Sequence, residues 1–291
     1  MALRRRLLTA ALRLLPVKLR YQVIRSGMRI DEAELAGVEA VRIASTVDEY
    51  VDSMRLVYDG YVGRGILKEH DSKVRMTPYL ALPSTAIFVA IEKGQVAGTL
   101  SLVKDGPFGL PMQKIYSAEV QSVRDEGRVI AEVGALCVAN GKRGTGVPFL
   151  LYKAMWLAAR GLLNVDDLVI AVHPDAADLY CATLQFERIG PVRHYPSLTR
   201  SASAVALRLK LRESEQAFKQ KWGGLPQTPS NPYWLYVQRI DPQISLPTEA
   251  TKIGSEELHR KAILKLAALR PDIVLDLNTA DFEVWRSEMK K

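Results

Sequence analysis

The sequence has little cysteine: two residues in 291, Cys137 and Cys181, with no CxxC pair and no Cys/His cluster. A disulfide framework or a structural zinc site needs more, so the chain fits a reducing compartment, the cytoplasm, and no metal. Long apolar runs are also missing. No stretch of about 18 apolar residues occurs, which speaks against a membrane-spanning helix. Acids are absent from the N-terminus: Arg4, Arg5, Arg6, Arg13, Lys18, Arg20, Arg25 and Arg29 precede the first, Asp31. These residues account for the net charge of +8. The rest is balanced, and a nucleic-acid partner, which wants basic clusters across a folded face, is not expected.

What is there begins with residues 2 to 15, whose pattern predicts a helix. Arg5, Arg6, Thr9 and Arg13 share one narrow face, and leucines and alanines fill the rest. Pro16 interrupts it. Such a helix suits an anionic membrane surface, met through residues 1 to 25, where apolar burial and basic charge act together. Packing on the protein's own body, a transit peptide and docking of an acidic partner fit the same residues.

From Val41 the chain mixes strands and helices. Val41 to Ala44 alternates as a strand, and Thr46 precedes a helix carrying Tyr50, Met54, Val57, Tyr58 and Tyr61. Residues 63 to 84 read as loop. Strands 86 to 91 and 96 to 103 are joined by the hairpin signal Glu92-Lys-Gly-Gln95. A helix over 113 to 126 follows, then a buried strand over 129 to 138, a helix over 147 to 161 and a strand over 168 to 172. A helix over 175 to 184 and a last strand over 203 to 211 complete the order, which implies one mixed α/β sheet with helices around it. Residues 222 to 233 read as a linker or extended arm. An amphipathic helix over 255 to 269 and a short helix with Phe282 and Trp285 on one side end the chain. The expected organisation is a basic amphipathic segment at 1–37, a catalytic domain at 38–211 and a C-terminal arm with helices at 212–291.

The strongest site signal is Glu132-Val-Gly-Ala-Leu-Cys-Val-Ala-Asn-Gly-Lys-Arg-Gly-Thr-Gly-Val-Pro-Phe-Leu-Leu151. A buried strand enters a basic, glycine-rich turn and then an apolar helix. Gly144 and Gly146 let backbone N–H groups converge, and the helix N-terminus favours negative charge, as a phosphate or pyrophosphate requires. A plain turn between strand and helix explains the glycines equally well.

Arg143-Gly-Thr-Gly146 with Leu150-Leu151 resembles the acyl-thioester loop of the GNAT superfamily, with Pro148 in place of the usual small residue. Asp178-Leu-Tyr180-Cys-Ala-Thr-Leu-Gln-Phe186 resembles the same superfamily's "LYxxxGF" segment, with Gln185 in place of glycine. A narrower likeness covers residues 38 to 211: Val41-Arg-Ile-Ala44, Thr77-Pro-Tyr79, Gly98-Thr-Leu-Ser-Leu102, Gly109-Leu-Pro-Met112, Ala131-Glu-Val133, Val172-His-Pro174 and Phe186-Glu-Arg-Ile-Gly190 are similar to the N-acyl amino acid synthase family of FeeM type. That family is related in fold to the acyl-homoserine-lactone synthases. The resemblance implies a GNAT-like, mainly antiparallel sheet. It also implies transfer of a long acyl chain from acyl carrier protein, through its phosphopantetheine thioester, to an amino acid amine. No bound cofactor is implied, and acyl-CoA is the alternative co-substrate.

The chemistry needs a neutral amine, a stabilised oxyanion and a leaving thiolate. Backbone N–H groups of Leu136, Cys137 and Val138 on a splayed strand edge suit the thioester carbonyl and pantetheine arm. Lys142, Arg143, Gly144 and Gly146 suit its phosphate. Glu132 is the candidate base, through water, and a buried ion pair is its structural alternative. Tyr180 matches the general-acid position of the superfamily, and packing in the core is its alternative. His173, beside Pro174, is a candidate for proton transfer or for holding the substrate carboxylate, and simple solvation is the rival. Cys137 reads as a packed, inert thiol. Arg75 suits an amino acid carboxylate or plain exposure, and the loops at 64–84 and 109–112 suit the acyl pocket. Two other functions stay open: an acetyl-CoA-dependent N-acetyltransferase, and a non-catalytic, membrane-associated binding or scaffold protein on a GNAT-like body.

Overall fold

The computed structural model of the chain describes residues 12, 14–30, 32–141, 146–195, 202–249, 256–274 and 277–290. The predicted helix over 2 to 15 lies almost wholly outside them. An eight-stranded sheet forms the centre. Its strands are β1 (Ala40–Ile43), β2 (Thr85–Glu92), β3 (Gln95–Lys104), β4 (Ile130–Val138), β5 (Asp167–Val172), β6 (Glu187–Arg188), β7 (Arg193–Tyr195) and β8 (Ala202–Lys210). The order is β1-β2-β3-β4-β5-β8-β6, with β7 also on β8. Every pairing is antiparallel except β4 with β5. The hairpin between β2 and β3 turns at Lys93 and Gly94, with φ of 51° and 69°. Two successive left-handed residues match the right-handed twist of the strands they join.

Helices cover both faces: α1 (Val17–Ser26), α2 (Glu32–Ala36), α3 (Val47–Val62), α4 (Gln113–Asp125), α5 (Val147–Gly161), α6 (Pro174–Leu184), α7 (Leu211–Trp222), α8 (Glu256–Leu269) and α9 (Thr279–Glu288). Side chains of β2 alternate between the faces. Ala86, Phe88 and Ala90 pack with Leu151 and Met155 of α5. Ile87, Val89 and Ile91 pack with Tyr50 and Met54 of α3 and with Ala262, Ile263 and Leu266 of α8.

The two ends of the chain are built into these cores. Phe218 and Trp222 of α7, with Leu235 and Tyr236, join the α5 side. The stretch 222–233, expected as a linker or arm, is a compact turn wound around buried Asn231, whose Nδ2 donates to the carbonyls of Leu225 and Pro226 (both 3.1 Å). Further on, Val41 N–H donates to Gln243 O (2.8 Å) and Ser245 N–H to Val41 O (3.0 Å). That short parallel addition covers the β1 edge, which would otherwise present unpaired backbone groups. Buried Lys153 of α5 holds the same arm through Asp241 (2.7 Å), and Arg239 links Asp241 to Glu32.

Helix α1 did not stand out in the sequence, because Pro16 broke the apolar pattern. It packs on α6: Arg20 pairs with Asp178 (3.0 Å), and Arg25 Nη1 donates to Ala182 O (3.3 Å). Of the readings for the N-terminal segment, residues 17 to 26 thus follow packing on the protein's own body. Among the described residues, no helix is long and apolar enough to cross a membrane.

Candidate active site

Strands β4 and β5 pair only at Ile130↔Asp167, Ala131↔Leu168 and Glu132↔Val169. Beyond Glu132, β4 has no strand partner on that side, so its edge from Val133 to Val138 is open. The partly accessible residues of β4 are all in this section: Gly134, Ala135, Leu136 and Val138. One irregularity decides where they point. Thr99, Ser101 and Val103 of β3 face Cys137, Gly134 and Glu132. Two residues on β3 thus span three on β4, a bulge, and Ala135 takes φ of 50°. The extra residue reverses the alternation. Leu136 and Val138 turn to the α5 side, while Cys137 joins Glu132 on the α3 side.

Helix α3 crosses at that point. A Cβ added at Gly60 would sit 2.8 Å from Cys137 Sγ, so only glycine permits the approach. Cys137 is buried there as a packed thiol, and neither cysteine takes part in a disulfide. The next residue, Tyr61, is half-buried and feels Glu132, Cys137, Arg64 and Arg75 electrostatically. Sequence reasoning saw Tyr61 only as part of a helical stripe. It gave no hint of Tyr195 on β7, whose phenol is pushed up by burial and next by Glu132 and Tyr61.

Glu132 is 6% exposed, and its surroundings are apolar: Val103, Leu110, Met112, Ile130 and Val169. Met112 N–H donates to Oε2 (2.7 Å), and among the described residues no cation pairs with the carboxylate. The alternative of a buried ion pair is therefore not what the structure holds. Burial raises the pKa to about 8, and the single N–H offsets part of that. The 109–112 loop, expected near the acyl pocket, thus touches Glu132 directly.

Tyr180 is half-buried on α6, with its ring edge-on to Phe186 (5.9 Å between centroids). Burial raises its pKa to about 12, against the charge of Arg64. Gln185 ends α6 at φ 58°, ψ 28°, and its N–H donates to Tyr180 O. It adopts the left-handed conformation that commonly ends a helix and that glycine takes most easily, so a glutamine here still closes the helix. His173 is exposed, and its Nδ1 accepts from Asp175 N–H (3.2 Å) as the N-cap of α6. The structure gives it a capping role and does not bring it to Glu132.

Gly146 caps α5 at φ 101°, and a Cβ there would lie 3.2 Å from Leu35. Backbone and space both demand glycine. Pro148 falls in the first turn of α5, where a missing N–H costs little. Lys142, Arg143 and Gly144 lie outside the described residues.

The sheet splits between its fourth and fifth strands, the fourth carries a bulge and a helix starts beside the open edge, within the mixed, mainly antiparallel α/β frame. The profile of the family "N-acyl amino acid synthase FeeM" matches residues 52–210, more than half of the chain. The chain belongs to that family and is an N-acyltransferase. Among solved structures, FeeM, an N-acyl amino acid synthase from uncultured soil microbes, is similar at a TM-score of 0.53 and 27% identity, over 61% of this chain and 94% of its own. The CoA-dependent acyl-homoserine lactone synthase BjaI, solved with SAM and isopentyl-CoA, gives 0.48 and 13%, over 77% and 99%. The AHL synthase LasI gives 0.44 and 19%, over 59% and 89%. No curated protein sequence matches the chain.

Proposed function

We infer that the protein moves a long acyl chain from the phosphopantetheine thioester of an acyl carrier protein to the amine of an amino acid. Residues 38–211 act as the catalytic unit, with 1–37 and 212–291 as additions to it. The observation that carries this reading is Glu132: a buried carboxylate without a counterion among the described residues, beside the point where β4 parts from β5. A base with a pKa near the working pH combines adequate ionisation with adequate basicity.

Glu132, through a water, takes a proton from the incoming ammonium. The amine nitrogen attacks the thioester carbon, and the open edge at Leu136, Cys137 and Val138 offers N–H groups to the carbonyl oxygen. The C–S bond breaks as the C–N bond forms, and the nitrogen's remaining surplus proton passes to solvent, which leaves a neutral amide. Tyr180 keeps its proton at neutral pH and donates a hydrogen bond to the departing sulfur. It is a poor full proton source, because a thiol has a pKa of about 8.5. The thiolate therefore collects its proton from solvent or from Glu132. Lys142, Arg143, Gly144 and Gly146 hold the phosphate in this reading, and His173 stays a cap.

The carrier-protein donor is supported by the family and by the basic N-terminus, which suits an acidic partner. Contact of residues 1–25 with an anionic membrane, from the cytoplasmic side, is supported by exposed Val17, Leu19 and Val23. Vesicle sedimentation with and without residues 1–25 tests it, and unchanged binding after deletion removes the helix as anchor.

The test of function is incubation with acyl-carrier-protein and acyl-CoA donors of varied length and a panel of amino acids, with mass spectrometry of products and assay of free thiol. Long-chain N-acyl amino acids formed from the carrier donor are expected. Product from acetyl-CoA alone would replace this reading with an acetyltransferase, and thioester binding without product with a binding protein.

A further inference from the structure

We propose that Arg75 is the residue that binds the acceptor's carboxylate, so that the enzyme selects α-amino acids over simple amines. The proposal rests on the acyltransferase reading above and adds the acceptor's anchor to it.

The backbone at Arg75 is held firmly. Its neighbours Val74 and Met76 are buried in the core between α3 and α8, and its own N–H donates to Met54 O (3.1 Å). The C-terminal helices pin the same segment. Arg270 Nη1 donates to Val74 O (3.3 Å), Trp285 Nε1 to Pro78 O (2.9 Å) and His259 Nε2 to Ala81 O (2.8 Å). The carbonyl can only accept, so the imidazole proton is on Nε2.

The side chain is half-buried, with its guanidinium 4.4 Å over the Tyr61 ring. Stacking leaves the in-plane N–H fork free. Other partly buried arginines use theirs on carboxylates: Arg124 on Asp105, Arg128 on Asp167, Arg193 on Glu119, Arg239 on Glu32. Among the described residues, no carboxylate pairs with Arg75. A guanidinium fork that is fixed, stacked and unmatched fits one carboxylate bidentately.

Its position relates it to the base. Arg75 and Glu132 both act electrostatically on Tyr61 and on Tyr195, yet they do not pair with each other. The two tyrosines are thus bordered by a cation and a base. An α-amino acid carries the complementary pair, a carboxylate and an amine on one carbon. With the carboxylate on Arg75, the amine is directed toward Glu132 and the open edge of β4. The same fork would also accept a phosphate of the donor, and the experiment separates the two.

The experiment compares three acceptors on the full chain: the best L-amino acid from the panel, its methyl ester and its decarboxylated amine. Wild type, Arg75→Gln and Arg75→Lys are assayed with acyl-carrier-protein and with acyl-pantetheine, which lacks the phosphate. The acid-to-amine ratio of kcat/KM is independent of how much protein is folded. In wild type it should favour the acid by about 10- to 100-fold, the value of a hydrogen-bonded charge pair. It should collapse toward one in Arg75→Gln through KM of the acid, and recover in part in Arg75→Lys. A wild-type ratio near one, or an equal loss for acid and amine in Arg75→Gln, overturns the assignment while acyl transfer stands. A loss seen with acyl-carrier-protein and absent with acyl-pantetheine assigns Arg75 to the donor phosphate and overturns it too. If no donor yields product with any amine, the acyltransferase reading fails and this proposal with it.

Discussion

Two buried carboxylates stand on adjacent strands, and the molecule treats them oppositely. Asp167 on β5, 0% exposed, receives two guanidiniums: Arg128 Nη2 at 2.6 Å and Arg208 Nε at 2.7 Å. Glu132 on β4, 6% exposed, receives one backbone N–H. Burial is the same and pairing differs, and so does consequence. A buried charge that is paired on every side ties elements together, here β5, β8 and the end of α4. A buried carboxyl without a counterion holds its proton up to a pH where it can exchange it with substrate. The structural acid lies where β4 and β5 are still joined. The chemical one lies at the last joined pair, where the sheet opens.

The sharpest way to separate them is Glu132→Gln. We expect kcat/KM to fall about 10²- to 10⁴-fold, the usual worth of a general base, while the melting temperature does not fall. Its pH dependence has a definite sign. The folded pKa of about 8 is above the unfolded value. Between about 4.5 and 8 the unfolded state therefore binds fewer protons, and Glu132 costs stability as pH rises through that window. Glu132→Gln should flatten the stability profile there, and wild-type kcat/KM should rise with pH through about 8. A wild-type activity profile already flat from pH 6 would remove Glu132 as the titrating base.

Asp167→Asn should do the reverse. Leaving Arg128 and Arg208 with a neutral partner should cost about 3–5 kcal/mol of stability in denaturant melts, with kcat per folded molecule nearly unchanged. Next in size, Tyr180→Phe should lower kcat about 10- to 100-fold with donor KM little altered, the loss of one hydrogen bond to a developing charge. Equal loss in donor binding alone would make the tyrosine a packing residue. Smallest, Gly146→Ala should cost about 1–2 kcal/mol for forcing a Cβ into the left-handed region, read as a lower midpoint in urea.

Local chemistry made much of this legible. The apolar runs at residues 86–91 and 96–103 named both strands and, with Lys93-Gly94 between them, their turn. Thr46 marked the start of α3, where its Oγ1 accepts from Glu49 N–H (3.2 Å). Glu132, Tyr180 and Gly146 could be singled out as candidates because strand, helix and turn patterns are written in neighbouring residues. Helices α1 and α7 were missed, since their stability comes from docking on α6 and α5 rather than from their own pattern. The fold places His173 as the N-cap of α6, a role that nothing local in the sequence separates from proton transfer.

The sequence by itself determined the order of the longer strands and helices between residues 40 and 210, the family and the chemical type of the site, since periodicity, capping and motif spacing are properties of contiguous residues. Only the tertiary structure decided which groups meet. A single extra residue in β4 turned Cys137 to the side of Glu132, and α3 brought Tyr61 over both. The N–H of Met112 reached Glu132 across a sequence gap of 20 residues, and no cation among the described residues did. The pKa of a buried acid depends on what the whole fold places around it, and that is a sum over distant parts of the chain.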